Sequence, residues 1–326
     1  MKALLCTTYG LPDTLSFSEI PSPTPSVDEL VITVHACGIN FPDLLFIQNK
    51  YQAKPPMPFS PGGEVSGVVK SVGEKVSQYK VGDRVIALCR WGGLAEQVVV
   101  KSHQTFPLPD EVDFISGATT LYAYGTSYHA LKDRAQLQSG ETLLVLGAAS
   151  GVGLAAIELG KNMGATVIAA ASADEKLKVC LAKGANFTIN YSKEDLRSRI
   201  KEITGEKGVD VVYDAVGGKL SELALRSMAW GGRFLVVGFA SGEIPTFPAN
   251  LPLLKGCSIV GVFWSAFAER ELEKSNQNFK ELLAWMKVGK IKPHIHEIYS
   301  LENSKRALQD LMNRKIIGKA VVQIKS

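Results

Sequence analysis

Residues 143 to 161 read LLVLGAASGVGLAAIELGK, an apolar run that drops into glycine and small residues and then resumes with helical spacing. A buried strand must end near Leu146, a helix must begin near Gly151, and the bend between them must be tight. Gly147 and Gly151 reach backbone conformations that side chains resist, while Gly153 lets the helix approach the sheet closely. The first N–H groups of such a helix have no partner within it and lie at the positive end of its dipole. A bend built this way suits a phosphate that must touch the backbone, and the order strand, bend, helix points to the pyrophosphate of a dinucleotide. Because GAASGVG is not a literal G-x-G-x-x-G, an ordinary glycine-rich turn in an α/β domain stays open as the alternative.

The bend opens a stretch in which strand and helix patterns alternate. TLLVLG is followed by GVGLAAIELGKNMG, ATVIAAA by DEKLKVCLAKGA, and the alternation continues through FTINY, DLRSRIKEITG, VDVVYDAVG, SELALRSMAW and RFLVVG. This pitch predicts βαβ units and a doubly wound, mostly parallel sheet. The chain before it reads as β structure: LVITVHACGI (30–39), VSGVVKSVG (65–73), DRVIALC (83–89) and AEQVVV (95–100) are short, β-branched and separated by clusters such as PSPTPS and PPMPFSPGG. Strands and turns at this density predict a barrel-like or sandwich domain. A first helix is expected from Asp113 through TTLYAYGTSYHAL. Beyond Gly256 the alternation fades into SIVGVFW, helices near 275–288 and 302–313, and a last strand KAVVQIK. At 326 residues the chain is longer than one core usually supports. The expected division is a β-rich domain over 1–122, a dinucleotide-binding domain over 123–260, and a return segment over 261–326 that completes the first.

The end of the second parallel strand selects the dinucleotide. NAD sites place an acidic residue about 20 positions after the bend to hold the ribose 2′-hydroxyl. Here ATVIAAAS puts Ser172 at that point, with Asp174 and Glu175 beyond it and Lys176 a helical step further. A small hydroxyl followed by a cation suits a 2′-phosphate, so NADPH is the expected cofactor, with Asp174 near enough to oppose it.

Composition excludes other classes. Apolar content of 46% with 21% charge is that of a globular protein, and the net charge is only +4. No basic patch with interleaved aromatics appears, so nucleic acid is not an expected partner. No run of 18 uncharged apolar residues is present, so no membrane span is expected. The five cysteines are dispersed and form no CxxC, which fits a reducing, cytosol-like compartment and neither a disulfide framework nor a structural zinc site. His294 and His296 in KPHIHE form an HxH without a third ligand at metal spacing, and read as a strand or loop pair.

Eight segments in order, CGINFPDLL, PFSPGGEVSGVV, VGDRV, GGLAEQVVV, YGTSYHAL, GAASGVG, EKLKVCLAKGA and GKAVV, make the chain resemble the quinone oxidoreductase branch of the medium-chain dehydrogenase/reductase superfamily. The resemblance spans essentially the whole length. It implies an α/β protein in which a GroES-like catalytic domain and a Rossmann domain enclose the active site in the cleft between them. It implies NADPH-dependent reduction of quinones or other conjugated carbonyl compounds, commonly by a homodimer. Carried over by position, Asn40 and Asp43 would line the substrate side of the nicotinamide, with Tyr51 at the cleft. Thr126 would lie near the nicotinamide ring, and Gly151, Val152 and Gly153 would meet the pyrophosphate. Ser172, Lys176 and Tyr191 would surround the 2′-phosphate; Phe239, Phe263 and Trp264 would flank the nicotinamide half. Lys319 would approach the 2′-phosphate or the adjacent cleft.

Where zinc-dependent relatives carry a catalytic cysteine and a histidine, this chain has Asn40 and Gly63, and their four-cysteine structural lobe is missing, so a zinc-free enzyme is expected. Glu64, which sits behind the metal in those relatives, is then expected to order its loop. The Asn40 amide is the expected hydrogen-bond donor to a substrate oxygen. Leu45 stands where relatives often have a tyrosine two residues after the aspartate. That disfavours the alternative of a 2-enoyl-thioester reductase and leaves Tyr51, Tyr122, Tyr124 or Tyr128 as replacement phenols. A non-catalytic NADPH-binding sensor or RNA-binding protein is the other alternative.

Overall fold

The computed structural model describes residues 1–325. Two compact units divide it: Met1–Tyr122 together with the chain from Lys292 onward, and Ala123–Ile291.

The first unit opens with an antiparallel ribbon of β1 (Lys2–Leu5) and β2 (Ser16–Glu19). Its sheet is organised by β3 (Glu29–Ile39), whose β-branched run buries residues on both faces, Val31 and Ile32 alike. One edge of β3 pairs antiparallel with β4 (Glu64–Val72), which pairs with β5 (Arg84–Leu88), and β5 with β7 (Thr105–Pro107). On its other edge, residues Glu29 to Thr33 pair with β6 (Gln97–Lys101). Between β3 and β4 lies the helix Phe41–Ile47, begun by Asn40, with Pro42 in its first turn where a missing N–H costs nothing. The expected helix from Asp113 is interrupted: Asp113 caps the short turn Phe114–Gly117, and a second helix follows over Leu121–Tyr128.

The second unit is the expected doubly wound sheet. Its strands β8 (Thr142–Leu146), β9 (Thr166–Ala171), β10 (Phe187–Asn190), β11 (Val209–Asp214), β12 (Met228–Val236) and β13 (Ser258–Gly261) are all parallel, in the order β10-β9-β8-β11-β12-β13. Apolar side chains of the strands and crossover helices, among them Leu144, Ile168, Val212, Leu225 and Phe234, make its core.

The boundary expected at 261 gives way to one at Lys292. The segment between stays with the nucleotide-binding unit, because β13 is the sixth strand of that sheet and Trp264, Phe279 and Trp285 pack there, Phe279 edge-on to Trp264 and Trp285 edge-on to Tyr128. The return to the first unit consists of β14 (Ile295–Ser300), the helix Ser304–Met312 and β15 (Lys319–Gln323). β15 pairs antiparallel with Ala36–Ile39 of β3, beside the stretch that β6 occupies, and β14 lies parallel outside it. Lys319, the first residue of β15, is thereby set beside Ile39, one residue before Asn40.

Candidate active site

In the parallel sheet every strand points its C-terminal end to the same edge, where open α/β sheets bind ligands. The bend after β8 lies there. Gly147 takes φ +66°, a conformation that a side chain rarely adopts. Ser150 caps the helix Gly151–Asn162, accepting from Gly153 N at 3.1 Å and donating to Gly147 O at 2.8 Å. A Cβ on Gly153 would sit 2.4 Å from Gly147 O, so only glycine lets the helix start this close to the bend. Gly151, in contrast, is an ordinary helical residue and needs no special backbone. With the Gly153 amide committed to Ser150, those of Gly151 and Val152 are the first-turn N–H groups that the helix itself leaves without a partner.

Parallel pairing also gathers residues distant in sequence. Asn190 of β10 lies opposite Ala171 of β9, and Tyr191 N donates to Ala171 O at 3.2 Å, so Ser172 and Tyr191 leave adjacent strand ends side by side. Lys176 follows in the first turns of the helix Asp174–Ala182. Phe239 follows β12 and Phe263 follows β13; both are exposed, Phe263 to 56%. Trp264 differs from its neighbour. Its ring is only 6% exposed and packs on Phe279 and against Gly125, whose added Cβ would come within 2.9 Å of it. The indole is spent in the core, which leaves only the Trp264 backbone for the nicotinamide contact that the resemblance implied. Thr126 is half-buried on the helix Leu121–Tyr128, next to Ser127. The Ser127 hydroxyl donates to Val152 O at 2.8 Å and meets the Tyr213 hydroxyl at 2.9 Å. Ser127 and Tyr213 thus fix the helix start from below, a role that a serine in a helix and a tyrosine in a buried strand do not announce in sequence.

The other predicted residues converge in the first unit on a buried polar cluster. Asp43 Oδ1 accepts from Gly62 N at 3.0 Å and Oδ2 from Asn40 N at 2.8 Å. Burial outweighs these two hydrogen bonds and pushes the Asp43 carboxyl up to about 7. Glu64, with no exposure, accepts from Tyr122 N at 3.1 Å and from Asn40 Nδ2 at 3.0 Å, and burial raises its carboxyl against the opposing pull of Lys319. The Asn40 amide is fully committed. Its second N–H goes to Gly38 O at 3.2 Å, and its Oδ1 accepts from Lys319 Nζ at 2.5 Å. Lys319 Nζ completes its three donations with Ile39 O at 3.1 Å and Glu64 Oε2 at 3.5 Å. This corrects one expectation: the Asn40 amide has no hydrogen left for a substrate oxygen. The Lys319 ammonium is turned onto Asn40 and Glu64.

Of the alternative phenols, Tyr124 and Tyr128 donate to Glu158 and Glu281, both at 2.5 Å, and Tyr122 is packed with its hydroxyl beside Gly63. Tyr51 is half-buried with its ring 4.6 Å from that of Phe46.

Residues 26–110 match the family described as the alcohol dehydrogenase GroES-like domain, and residues 151–287 match the family described as zinc-binding dehydrogenase. A quinone oxidoreductase-like protein 2 homolog of Nematostella vectensis is 38% identical over 326 residues, covering 99% of this chain and 89% of that protein. The chain belongs to the medium-chain dehydrogenase/reductases, in their quinone oxidoreductase branch. Quinone oxidoreductase of Homo sapiens is 33% identical over 315 residues, with 96% of this chain and 94% of that one covered. Among solved structures, Escherichia coli quinone oxidoreductase complexed with NADPH aligns with a TM-score of 0.93 at 28% identity, over 99% of this chain and all of that one. The chain is an oxidoreductase of this branch, with a GroES-like and a Rossmann-type domain.

One of these families is named for zinc, and the residues here do not fit it. A Cβ on Gly63 would lie 2.8 Å from Arg90 O and 3.0 Å from Tyr122 Oη, so the position has no room for a ligand side chain. Asn40 is saturated, and the Lys319 ammonium already supplies the positive charge beside Glu64. Among the described residues no group of three or more His, Cys, Asp or Glu is placed to hold a metal. His294 and His296 flank the start of β14, with His296 exposed. The sequence does not show that Lys319 pairs with Asn40 and Glu64. The signal that could have found the pairing is the place of Lys319 at the start of the closing strand KAVVQ, ahead of the buried Ala320, Val321 and Val322, where a lysine is buried only if paired.

Proposed function

We propose that the chain transfers a hydride from NADPH to quinones or related conjugated carbonyl compounds, without a metal and as a homodimer. The observation that carries this reading is the sheet edge on which the glycine bend, Ser172 and Tyr191 lie together. The amides of Gly151 and Val152 would hold the pyrophosphate, and Ser172, Lys176 and Tyr191 the 2′-phosphate. Thr126, Phe239 and Phe263 would border the nicotinamide half. Bound there, NADPH supplies the hydride and carries the redox chemistry.

The protein's own task is to orient the acceptor and to satisfy the oxygen on which charge develops. A quinone or enone spreads that charge over its conjugated system, which removes the need for a Lewis acid. With the Asn40 amide committed, Tyr51 is the phenol assigned to hydrogen-bond the acceptor oxygen and deliver its proton. Leu45 and Phe46 give the neighbourhood an apolar character suited to a flat acceptor. Asp43, Asn40, Glu64 and Lys319 act as the rigid frame behind it.

A homodimer is supported by β13, the outer strand of the parallel sheet, which leaves Ile259 exposed. Nearby in sequence, Leu253 and Leu254 are exposed, and Trp230 is exposed to 80%. A second copy laid along β13 would extend the sheet and cover apolar surface of this kind. The five cysteines are all unpaired, which supports a reducing, cytosolic setting. Among the described residues no helix is long and apolar enough to cross a membrane.

The test is consumption of NADPH on adding 9,10-phenanthrenequinone, with a crotonyl-type thioester in parallel. Quinone turnover supports the reading. Turnover of the thioester alone would move the assignment to an enoyl-thioester reductase, and no turnover of any quinone, enone or enal would overturn it.

A further inference from the structure

Asp174 stands two residues beyond Ser172, close to the place where a carboxylate turns a Rossmann site toward NADH. A free carboxylate there would repel the 2′-phosphate that Ser172, Lys176 and Tyr191 are proposed to receive. In the structure that carboxylate is tied from the neighbouring strand. Oδ1 accepts from Asn190 Nδ2 at 2.5 Å, and Oδ2 accepts from Lys193 Nζ at 2.6 Å. Asn190, the last residue of β10, is buried. Its Oδ1 accepts from Ser192 N at 3.1 Å and its own N–H donates to Glu194 Oε1 at 2.9 Å, so the direction of the amide is set by its loop.

We propose that Asn190 and Lys193 determine coenzyme choice by holding the Asp174 carboxylate and cancelling its charge, so that the loop after β9 accepts a 2′-phosphate. Both Asp174 and Lys193 are largely exposed, so their pair adds little to stability. Its effect is on the local field. Pairing removes one negative charge from the surroundings of a dianion. Asn190 aims the carboxylate, and Lys193 neutralises it. Lys193 is a positioning and compensating residue here, acting on the phosphate through Asp174 and not by touching it. This inference rests on the NADPH reading above.

The experiment measures dissociation constants for NADPH and NADH, by calorimetry at low ionic strength, for three proteins. These are the wild type, Lys193→Gln, and Lys193→Gln combined with Asp174→Asn. Uncovering the Asp174 charge should weaken NADPH about three- to tenfold and NADH by less than about twofold, as expected for one charge acting on a dianion within a Debye length. Removing the carboxylate as well should return NADPH affinity to within about twofold of wild type. An unchanged NADPH-to-NADH ratio in Lys193→Gln would overturn the inference. A double variant as weak as the single one would also overturn it, since Lys193 would then be a direct phosphate ligand. A wild type that binds neither coenzyme, or prefers NADH, would sink the cofactor reading itself and this inference with it.

Discussion

Replacing Lys319 by methionine tests the buried cluster where it is most exposed to contradiction. The ammonium is 5% exposed and lies 2.5 Å from Asn40 Oδ1, 3.1 Å from Ile39 O and 3.5 Å from Glu64 Oε2, while Glu64 has no exposure at all. Methionine keeps the length of the stem and removes the charge, so three acceptors lose a donor and Glu64 keeps Asn40 Nδ2 and the backbone of Leu121 and Tyr122 but no cation. Breaking a buried pair by removing one member costs about 3–5 kcal/mol at neutral pH. For a unit of this size that corresponds to a fall of roughly 10 °C in melting temperature. The deficit should depend on pH. Without Lys319, burial raises the Glu64 carboxyl further above its unfolded value, so the folded state holds a proton that the unfolded state releases, and stability rises as pH falls. The variant should therefore lie closest to wild type near pH 5 and furthest from it near pH 8. Thermal unfolding followed by fluorescence at both pH values reads this directly. Adding Glu64→Gln should recover most of the loss, because the uncompensated charge is gone. A single variant within about 1 kcal/mol of wild type, or a double variant no better than the single, would refute the argument that the ammonium compensates Glu64.

Three other outcomes follow from the geometry. Gly153→Ala puts a methyl 2.4 Å from Gly147 O and must push the helix off the bend, so NADPH affinity should fall by at least about tenfold and the melting temperature by about 2–10 °C; calorimetry reads the first and unfolding the second. Asp43 titrates at about 7 when folded against about 3.8 when unfolded, so wild type loses stability from this group as pH rises through that window, and Asp43→Asn should flatten that part of the stability–pH curve. Tyr51→Phe should lower kcat with a quinone by about 10²-fold while leaving the NADPH dissociation constant unchanged, as removal of a proton donor does.

Much of the second unit was legible because buried parallel strands read as continuous apolar runs and its helices carry a helical period. β13 but for its last residue fell within the expected 123–260 domain. The boundary was missed after it, because the segment up to Ile291 is two successive helices, Trp264–Arg270 and Leu272–Lys287, with no further strand to continue the alternation. In the first unit the strand positions were readable, but the double use of β3 by β6 and β15 was not, since register between segments nearly 300 residues apart leaves no local mark. The same distance hid the state of Asn40. Its amide looks free until β15 brings Lys319 and β4 brings Glu64 beside it, the Gly38 carbonyl being local. Trp264 misled because an aromatic beside an exposed Phe263 reads as lining, whereas the helix begun there turns the ring into the core. Ser172 and Lys176 were legible from their place after the second parallel strand, whereas Tyr191 could be added only through the resemblance; the pairing of β9 with β10 supplies the physical reason that Ser172 and Tyr191 are adjacent.

The central claim, hydride transfer from NADPH to a conjugated acceptor with no metal involved, is tested most directly by a single-turnover reaction of chelator-treated protein, shown free of zinc by elemental analysis, with NADPH and 9,10-phenanthrenequinone. The account predicts that NADPH is consumed in proportion to hydroquinone formed, at the same rate with or without added zinc. Failure of the stripped protein to react until zinc is restored would contradict it.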